Sequence, residues 1–169
     1  MDDVEVEEAR IGDLPQVKLV EDACFGREAY PYHALAELML SFGHLFLVAK
    51  LNGRVVGYVS ATLVGGHGHI VSIAVLPEHW GRGIGSRLLG EVLRRLEDGG
   101  AKRVFLEVRV DNHRAIRLYR KFGFRVAGVK RRYYLDGSDA LVMVLELREG
   151  ELSDQKPHHR FSQGVQTSS

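Results

Sequence analysis

A glycine-rich turn between an apolar segment and an amphipathic helix constrains the fold more than any other part of the chain. His69–Leu76 is apolar and β-branched, which predicts a buried strand, and Gly81–Ser86 follows it as Gly-Arg-Gly-Ile-Gly-Ser. A helix is predicted from there to about Asp98, with these apolar residues on one face: Ile84, Leu88, Leu89, Val92, Leu93 and Leu96. This order predicts a phosphate-binding loop, because small residues let a ligand approach the backbone and the first helical turn offers unpaired N–H donors.

Two common phosphate loops fit this turn poorly. A P-loop places a lysine directly before its serine or threonine, and here Gly85 stands before Ser86. A dinucleotide fingerprint needs a third glycine at the position of Ser86 and a βαβ order at the start of the chain. A turn that only joins a strand to a helix also stays open from these residues alone.

The rest of the chain alternates between strand-like and helix-like segments. Further strands are predicted over Val4–Glu8, Leu45–Leu51, Arg54–Val64, Arg103–Val110, Phe124–Tyr134 and Ala140–Leu147, and further helices from Asp13–Pro15 to Gly26, over His33–Ser41 and from Asn112 to Lys121. Asn52-Gly53 is a two-residue hairpin signal. The order predicts an α/β fold with a mixed central sheet of about seven strands flanked by about four α-helices.

Composition narrows the class of protein. After the last predicted strand the chain is polar and aperiodic, so we expect one domain over 1–150 and a disordered tail over 151–169. The single Cys24 excludes an intramolecular disulfide, and no apolar run reaches the length of a membrane span. The acidic N-terminus is unlike a secretory leader. These features predict a cytoplasmic protein with no membrane partner.

Positive charge is concentrated in one window of the sequence. Lys102–Arg132 holds eleven lysine and arginine residues against two acids, although the net charge of the chain is only +1. The window fits a solvated helix face, and it also fits a positive rim for an anionic cofactor, an acidic substrate or ribosomal RNA. No RNA-recognition motif accompanies it, and His67, His69 and His79 lack a recognised zinc spacing. We therefore predict no specific nucleic-acid partner and no metal.

The glycine turn resembles the pyrophosphate loop of the GCN5-related N-acetyltransferases (the GNAT superfamily), which usually reads Arg/Gln-x-x-Gly-x-Gly/Ala. Trp80 stands at the first position of that motif, a departure that leaves the backbone donors of the loop unaffected. Four more segments resemble protein N-terminal acetyltransferases, in particular the archaeal enzymes, the NatA catalytic subunit and the ribosomal-protein alanine branch: Glu28–Tyr32, Gly68–Val75, Leu106–Phe124 and Tyr133–Ala140.

This resemblance implies the GNAT fold and acetyl-CoA as the cosubstrate. The implied cofactor-binding residues are Ile73, Ala74, Val75, Trp80, Gly81, Arg82, Gly83, Ile84, Gly85, Ser86, Asn112 and Tyr119. Tyr119 would act as general acid to the CoA sulfur, and Glu28 and His69 are the candidates for the base. The implied substrate-binding residues are Tyr30, Tyr32, Arg109, Tyr133 and Tyr134. From the residues alone, Tyr119 also fits a core aromatic, His69 a solvent-facing strand residue and Glu28 a plain loop carboxylate.

The expected reaction is acetyl transfer to the N-terminal α-amine of a protein or peptide, by direct attack in a ternary complex. An α-ammonium has a pKa of about 7.7–8.0 and a lysine ammonium one of about 10.4, so a terminal amine needs only a modest base. Lysine side chains and small amines remain alternative acceptors, and a non-catalytic acyl-CoA-binding module remains an alternative function. Protein or peptide N-termini are the expected partners, and docking to a ribosome or an auxiliary subunit stays open.

Overall fold

The computed structural model describes residues 3–147, so the predicted tail over 151–169 lies outside the described residues. Its strands are β1 (Val4–Glu8), β2 (Phe46–Leu51), β3 (Arg54–Val64), β4 (His67–Val75), β5 (Arg103–Arg109), β6 (Arg125–Lys130) and β7 (Ala140–Glu146). Its α-helices are α1 (Leu14–Phe25), α2 (Tyr32–Ser41), α3 (Ile84–Asp98) and α4 (His113–Lys121). The strands form one sheet in the order β1-β2-β3-β4-β5-β7-β6, in which β4 and β5 pair in parallel and the other neighbours are antiparallel. The predicted α/β fold with a mixed seven-stranded sheet is confirmed.

Helices cover both faces of this sheet. The six apolar residues predicted to share one face of α3 are all buried, and they join the larger core cluster against the sheet. Helices α1 and α2 contribute Val17, Leu35 and Met39 to a second cluster. Full burial of a leucine-sized side chain contributes roughly 1.5–3 kcal/mol. The strand ends that carry the site are therefore anchored on both faces.

The hairpin signal at Asn52-Gly53 is confirmed. Both residues have positive φ, 53° and 81°, as a type I′ turn requires. Asp13 precedes α1 as predicted, but it does not cap the helix through its side chain. Its carboxylate instead accepts from the backbone N–H of Arg10 and pairs with Lys50. Among residues 3–147, no helix is long and apolar enough to cross a membrane.

Two predicted strand boundaries were wrong. The strand predicted over Phe124–Tyr134 ends at Lys130, because the chain turns at Arg132, whose φ is 52° and whose N–H donates to the Asp139 carboxylate. The strand predicted over Arg103–Val110 has apolar residues at every second position, but its burial departs from that pattern at both ends. Arg103 is buried, and the strand stops at Arg109, which leaves Val110 exposed.

Candidate active site

The sheet opens between its fourth and fifth strands. His67–His69 pairs with Arg103–Phe105, and beyond that point β4 pairs with β3 while β5 pairs with β7. Strands that diverge in this way present backbone N–H and C=O groups to the space between them. A cavity of about 690 Å³ lies at this opening, lined by residues 70–73 of β4 and residues 106–109 of β5.

The glycine turn follows β4 and leads directly into α3. Gly81 and Gly83 have φ values of 83° and 78°, a left-handed conformation that glycine adopts without strain. A Cβ at either position would meet no protein atom within 4 Å. Gly83 is also the N-cap of α3 and supplies no side-chain cap, so the N–H groups of residues 84–86 remain available to a ligand. This geometry fits a phosphate cradle.

Trp80, at the first position of the glycine motif, is held in place at the rim of the turn. Its indole N–H donates to the carbonyl oxygen of Val75 at 2.8 Å. The Arg114 guanidinium lies over the indole, 3.6 Å from the ring centroid, an arrangement favourable for a cation and an aromatic face. Trp80 thus ties the end of β4 to the start of α4 and keeps a cation beside the cradle.

Tyr119 lies on α4 and lines the cavity. Its side chain is 6% exposed and packs against Phe124, with ring centroids 5.8 Å apart. Burial, together with the nearby Tyr134, raises the pKa of Tyr119 well above its usual range, so its hydroxyl stays protonated at neutral pH. Asn112 also lines the cavity, and its side-chain oxygen accepts from the N–H of Ala115 at 3.2 Å, which caps α4 as expected.

Two loops face each other across the cavity, one from α1 to α2 and one from β6 to β7. Glu28 and Tyr30 belong to the first loop, Tyr133 and Tyr134 belong to the second, and all four line the cavity. The Glu28 carboxylate accepts from the N–H of Leu135 at 2.7 Å. This bond joins the two loops, so Glu28 bridges the walls of the cavity as well as facing it.

His69 is not among the residues that line the cavity, and it meets the lining through Glu107. The two side chains are 2.9 Å apart, and the other Glu107 oxygen accepts from Lys130, also at 2.9 Å. The His69 ring stacks on Phe105 with 4.3 Å between centroids. Burial raises the pKa of Glu107, but the hydrogen bonds from His69 and Lys130 outweigh it and lower the pKa to about 2. A carboxylate therefore stands between His69 and the cavity.

The other predicted substrate-binding residues divide between the cavity wall and the outer surface. Tyr133 and Tyr134 meet edge to face, 4.9 Å between centroids. Burial, with Tyr133 as the next contribution, raises the pKa of Tyr134 to about 12. Arg109 lies over the Tyr134 ring and donates to Asp136 in the β6–β7 loop, so it fixes that loop. Tyr32 is 46% exposed at the start of α2 and does not line the cavity.

The glycine turn, the strand opening and much of the cavity lie within a stretch of the chain that matches a known protein family. Residues 14–124 match the acetyltransferase (GNAT) family. The chain belongs to this family. The matched stretch runs from the first residue of α1 to just beyond α4, and it therefore includes the glycine turn, the diverging strands and Tyr119.

Relatives of this GNAT chain cover most of its length. An N-alpha-acetyltransferase of Sulfolobus acidocaldarius is 39% identical over 152 residues, which are 82% of this chain and 90% of the relative. A putative ribosomal protein bS18-alanine N-acetyltransferase of Bacillus subtilis is 34% identical over 149 residues, which are 85% of this chain and 96% of the relative. The resemblance to the archaeal and ribosomal-protein branches is thereby confirmed.

Solved GNAT structures superpose closely on the fold. Ard1 from Thermoplasma volcanium has a TM-score of 0.82 at 28% identity and covers 86% of this chain and 99% of its own. Arabidopsis thaliana Naa50, in complex with the bisubstrate analogue CoA-Ac-MVNAL, has a TM-score of 0.76 at 26% identity and covers 85% of this chain and 99% of its own. The similarity therefore extends over nearly the whole of each solved chain.

The GNAT cavity also contains residues of α1 that the sequence analysis did not assign to a site. Glu21 is buried yet lines the cavity. The indication in the sequence is that this carboxylate lies beside Val17 and Val20 on the apolar face of α1. Cys24 lines the cavity too, and burial and the Glu21 charge raise its pKa to about 11. A thiol with that pKa is a poor nucleophile at neutral pH. Within residues 3–147, no cluster of three metal-ligating side chains occurs.

Proposed function

We propose that this protein transfers the acetyl group of acetyl-CoA to the N-terminal α-amine of protein or peptide substrates, by direct attack in a ternary complex. The observation that carries the proposal is the opening between β4 and β5. It has an uncapped helix start and a glycine turn at one end, and a carboxylate- and tyrosine-lined cavity between two loops at the other. One region can therefore hold a phosphate-bearing donor while the other holds an amine.

The residues on the donor side fit acetyl-CoA. The N–H groups at the start of α3 and the open backbone at Gly81 and Gly83 suit its pyrophosphate, and the exposed Arg82 adds positive charge. The edge of β4 at residues 73–75 offers backbone groups that could pair with pantetheine amides, as in β-augmentation. Asn112 lines the same cavity, and the Trp80 indole is bonded to the end of this strand at Val75. Bound there, acetyl-CoA supplies a thioester whose carbonyl carbon accepts the amine and whose sulfur departs as a thiolate.

Tyr119 is the residue that we assign to the departing sulfur. Its position on the cavity wall and its raised pKa keep a proton on the phenol, and the same burial raises the basicity of the thiolate that forms beside it, so that the proton can pass from oxygen to sulfur as the C–S bond breaks. Proton donation by Tyr119 to the sulfur then leaves neutral CoA thiol and a Tyr119 phenolate, which water reprotonates before the next turnover. The base on the acceptor side passes the ammonium proton to solvent and then takes the second proton from the new amide nitrogen.

The acceptor side attracts and deprotonates the amine. Glu28 and Glu107 both line the cavity, and negative charge there favours entry of an ammonium group. Glu107 itself, with a pKa of about 2, is too weak a base to take the proton. Two residues remain as the base. Glu28 can take the proton of the ammonium directly or through a water molecule, and His69 can take it only through a water molecule, because Glu107 lies between His69 and the cavity. The bisubstrate analogue in the Naa50 structure, in which CoA is joined to an acetylated peptide, supports a peptide amine as acceptor.

Matched peptides test the acceptor. One peptide carries a free α-amine and no lysine, and its partner carries a blocked α-amine and one lysine; each is incubated with acetyl-CoA, and the acetylated atom is located by mass spectrometry. We expect rapid acetylation of the first peptide and little of the second. Rapid modification of the second peptide alone would show a lysine acetyltransferase, and tight CoA binding without transfer to either peptide or to small amines would show a binding module.

A further inference from the structure

Glu21 is a buried carboxylate that the proposed chemistry does not use. Its side chain lies on α1 and is 1% exposed. It accepts hydrogen bonds from the Tyr58 hydroxyl at 2.5 Å, from the Ser72 hydroxyl at 3.1 Å and from the backbone N–H of Tyr30 at 2.9 Å. These donors belong to β3, to β4 and to the loop between α1 and α2. One side chain therefore connects the centre of the sheet to the loop that walls the acceptor cavity.

The connection matters because of what that loop carries. Tyr30 and Glu28 both line the cavity, and Glu28 in turn holds Leu135 of the β6–β7 loop. Glu21 bonds to the main chain of Tyr30, and so it fixes the backbone position from which these side chains reach the cavity. Two hydroxyls orient the carboxylate from the sheet side, so Glu21 is itself held in one direction. The order of dependence runs from sheet to Glu21, to the first loop, and through Glu28 to the second loop.

We propose that Glu21 is the positioning residue of the acceptor site, and that it places the wall carrying Glu28 and Tyr30 against the sheet through its hydrogen bond to the Tyr30 backbone. This inference rests on the proposed transfer to an amine. Both Glu21 oxygens already accept hydrogen bonds from the protein, so we assign Glu21 no contact with the reacting atoms. Its loss displaces groups that do, and a displacement of about 1 Å at such a site can cost on the order of a hundredfold in rate.

Two substitutions at Glu21 separate hydrogen bonding from charge. In Glu21→Gln the amide oxygen can still accept from the Tyr30 N–H, while the amide NH2 donates to the Tyr58 and Ser72 hydroxyls, which rotate to accept. The network then keeps its geometry without the negative charge. In Glu21→Ala all three donors lose their acceptor. Tyr58→Phe is the matched control, because it removes a buried hydrogen bond of the same network but leaves the Ser72 hydroxyl to orient the carboxylate and leaves the bond to Tyr30.

The kinetic test measures the peptide KM, kcat and the Kd for CoA in each variant. We expect Glu21→Ala to raise the peptide KM roughly tenfold and to lower kcat roughly tenfold, which is about a hundredfold in kcat/KM, while the Kd for CoA stays within about twofold. Glu21→Gln should stay within about threefold of wild type. Tyr58→Phe should lower Tm but leave the peptide KM within about threefold of wild type. An unchanged KM in Glu21→Ala would overturn the inference. So would a Glu21→Gln variant as impaired as Glu21→Ala, or a Tyr58→Phe variant with the same rise in KM.

Hydrogen exchange tests the same point without any turnover. Amide exchange over residues 26–30 should quicken in Glu21→Ala and stay near the wild-type rate in Glu21→Gln and Tyr58→Phe. Unchanged exchange in Glu21→Ala would overturn the positioning role even if the wild type is active. A wild type that acetylates no α-amine, but whose loop loosens in Glu21→Ala, would instead overturn the proposed function.

Discussion

The glycine cradle permits a substitution whose effects on folding and on ligand binding can be separated. In Gly83→Ala the new methyl group stands at the N-cap of α3, where it would touch no protein atom within 4 Å. Packing therefore does not oppose the change. Two other costs remain. The φ of 78° at this position is one that an alanine adopts with strain, and the methyl group would take up space beside the helix N–H groups, where we propose that a phosphate binds.

The two costs differ in size. The left-handed backbone costs an L-residue roughly 1–2 kcal/mol, which in a protein of this length lowers Tm by roughly 2–8 °C. Each hydrogen bond to a charged group contributes roughly 1.5–3 kcal/mol. The loss of even one bond to the pyrophosphate should therefore raise the Kd for CoA roughly 10- to 100-fold.

Gly53→Ala provides the control. Gly53 has φ of 81° and is also free of protein atoms within 4 Å of a Cβ, but it belongs to the β2–β3 hairpin. Calorimetric titration with CoA and a thermal melt should show a similar fall in Tm for both variants and a weaker Kd only for Gly83→Ala. Wild-type CoA affinity in Gly83→Ala would refute the assignment of this turn as the phosphate cradle. Equal loss of affinity in both variants would show that strain, not obstruction, is responsible.

Three further predictions address proton transfer and charge. Tyr119→Phe should lower kcat by roughly 10²-fold or more, because the proposed general acid is lost, with CoA affinity by titration near wild type; an unchanged kcat would remove Tyr119 from the chemistry. Glu28→Gln can still accept from the Leu135 N–H, so a fall in kcat/KM in a thiol-release assay would reflect the lost charge or base, and full activity would leave Glu28 as a bridge alone. The Glu107 pKa of about 2 lies below its unfolded value of about 4.3, so its contribution to stability is complete above about pH 4.3 and is lost as the pH falls towards 2. Urea unfolding at pH 6 and pH 3 should therefore show a smaller loss in Glu107→Gln than in wild type, and an equal loss would contradict the pairing with His69 and Lys130.

Most of the helices and strands could be predicted from the sequence, because the spacing of apolar residues and the turn residues between segments decide where these elements form. The buried face of α3 follows directly from the spacing of its apolar residues, and the β2–β3 hairpin follows from Asn52-Gly53, since few other pairs tolerate two positive φ values. The end of β6 does not follow, because Val129–Tyr134 contains no glycine or proline that would mark a turn. The Asp139 carboxylate, which binds the Arg132 N–H, decides where that strand stops, and this contact joins residues seven apart.

The site divides in the same way. Of the three catalytic candidates, Tyr119 and Glu28 line the cavity, whereas His69 lies behind Glu107. A period-two pattern along β5 assigns Glu107 to the polar side without indicating that this side is the cavity. The role of Glu21 could not be predicted, because its three hydrogen-bond partners are 9, 37 and 51 residues away and no local pattern identifies them.

The diverging strands have a consequence for thermal behaviour. The sheet consists of two antiparallel blocks, β1–β4 and β5–β7, joined along a three-residue parallel seam. The two blocks already share one core cluster, and a ligand that pairs with β4 and also contacts β5 would add a second connection beyond the seam. At a hundred times its Kd, such a ligand adds about 2.7 kcal/mol to the free energy of unfolding. The Tm of this protein should therefore rise with the concentration of acetyl-CoA.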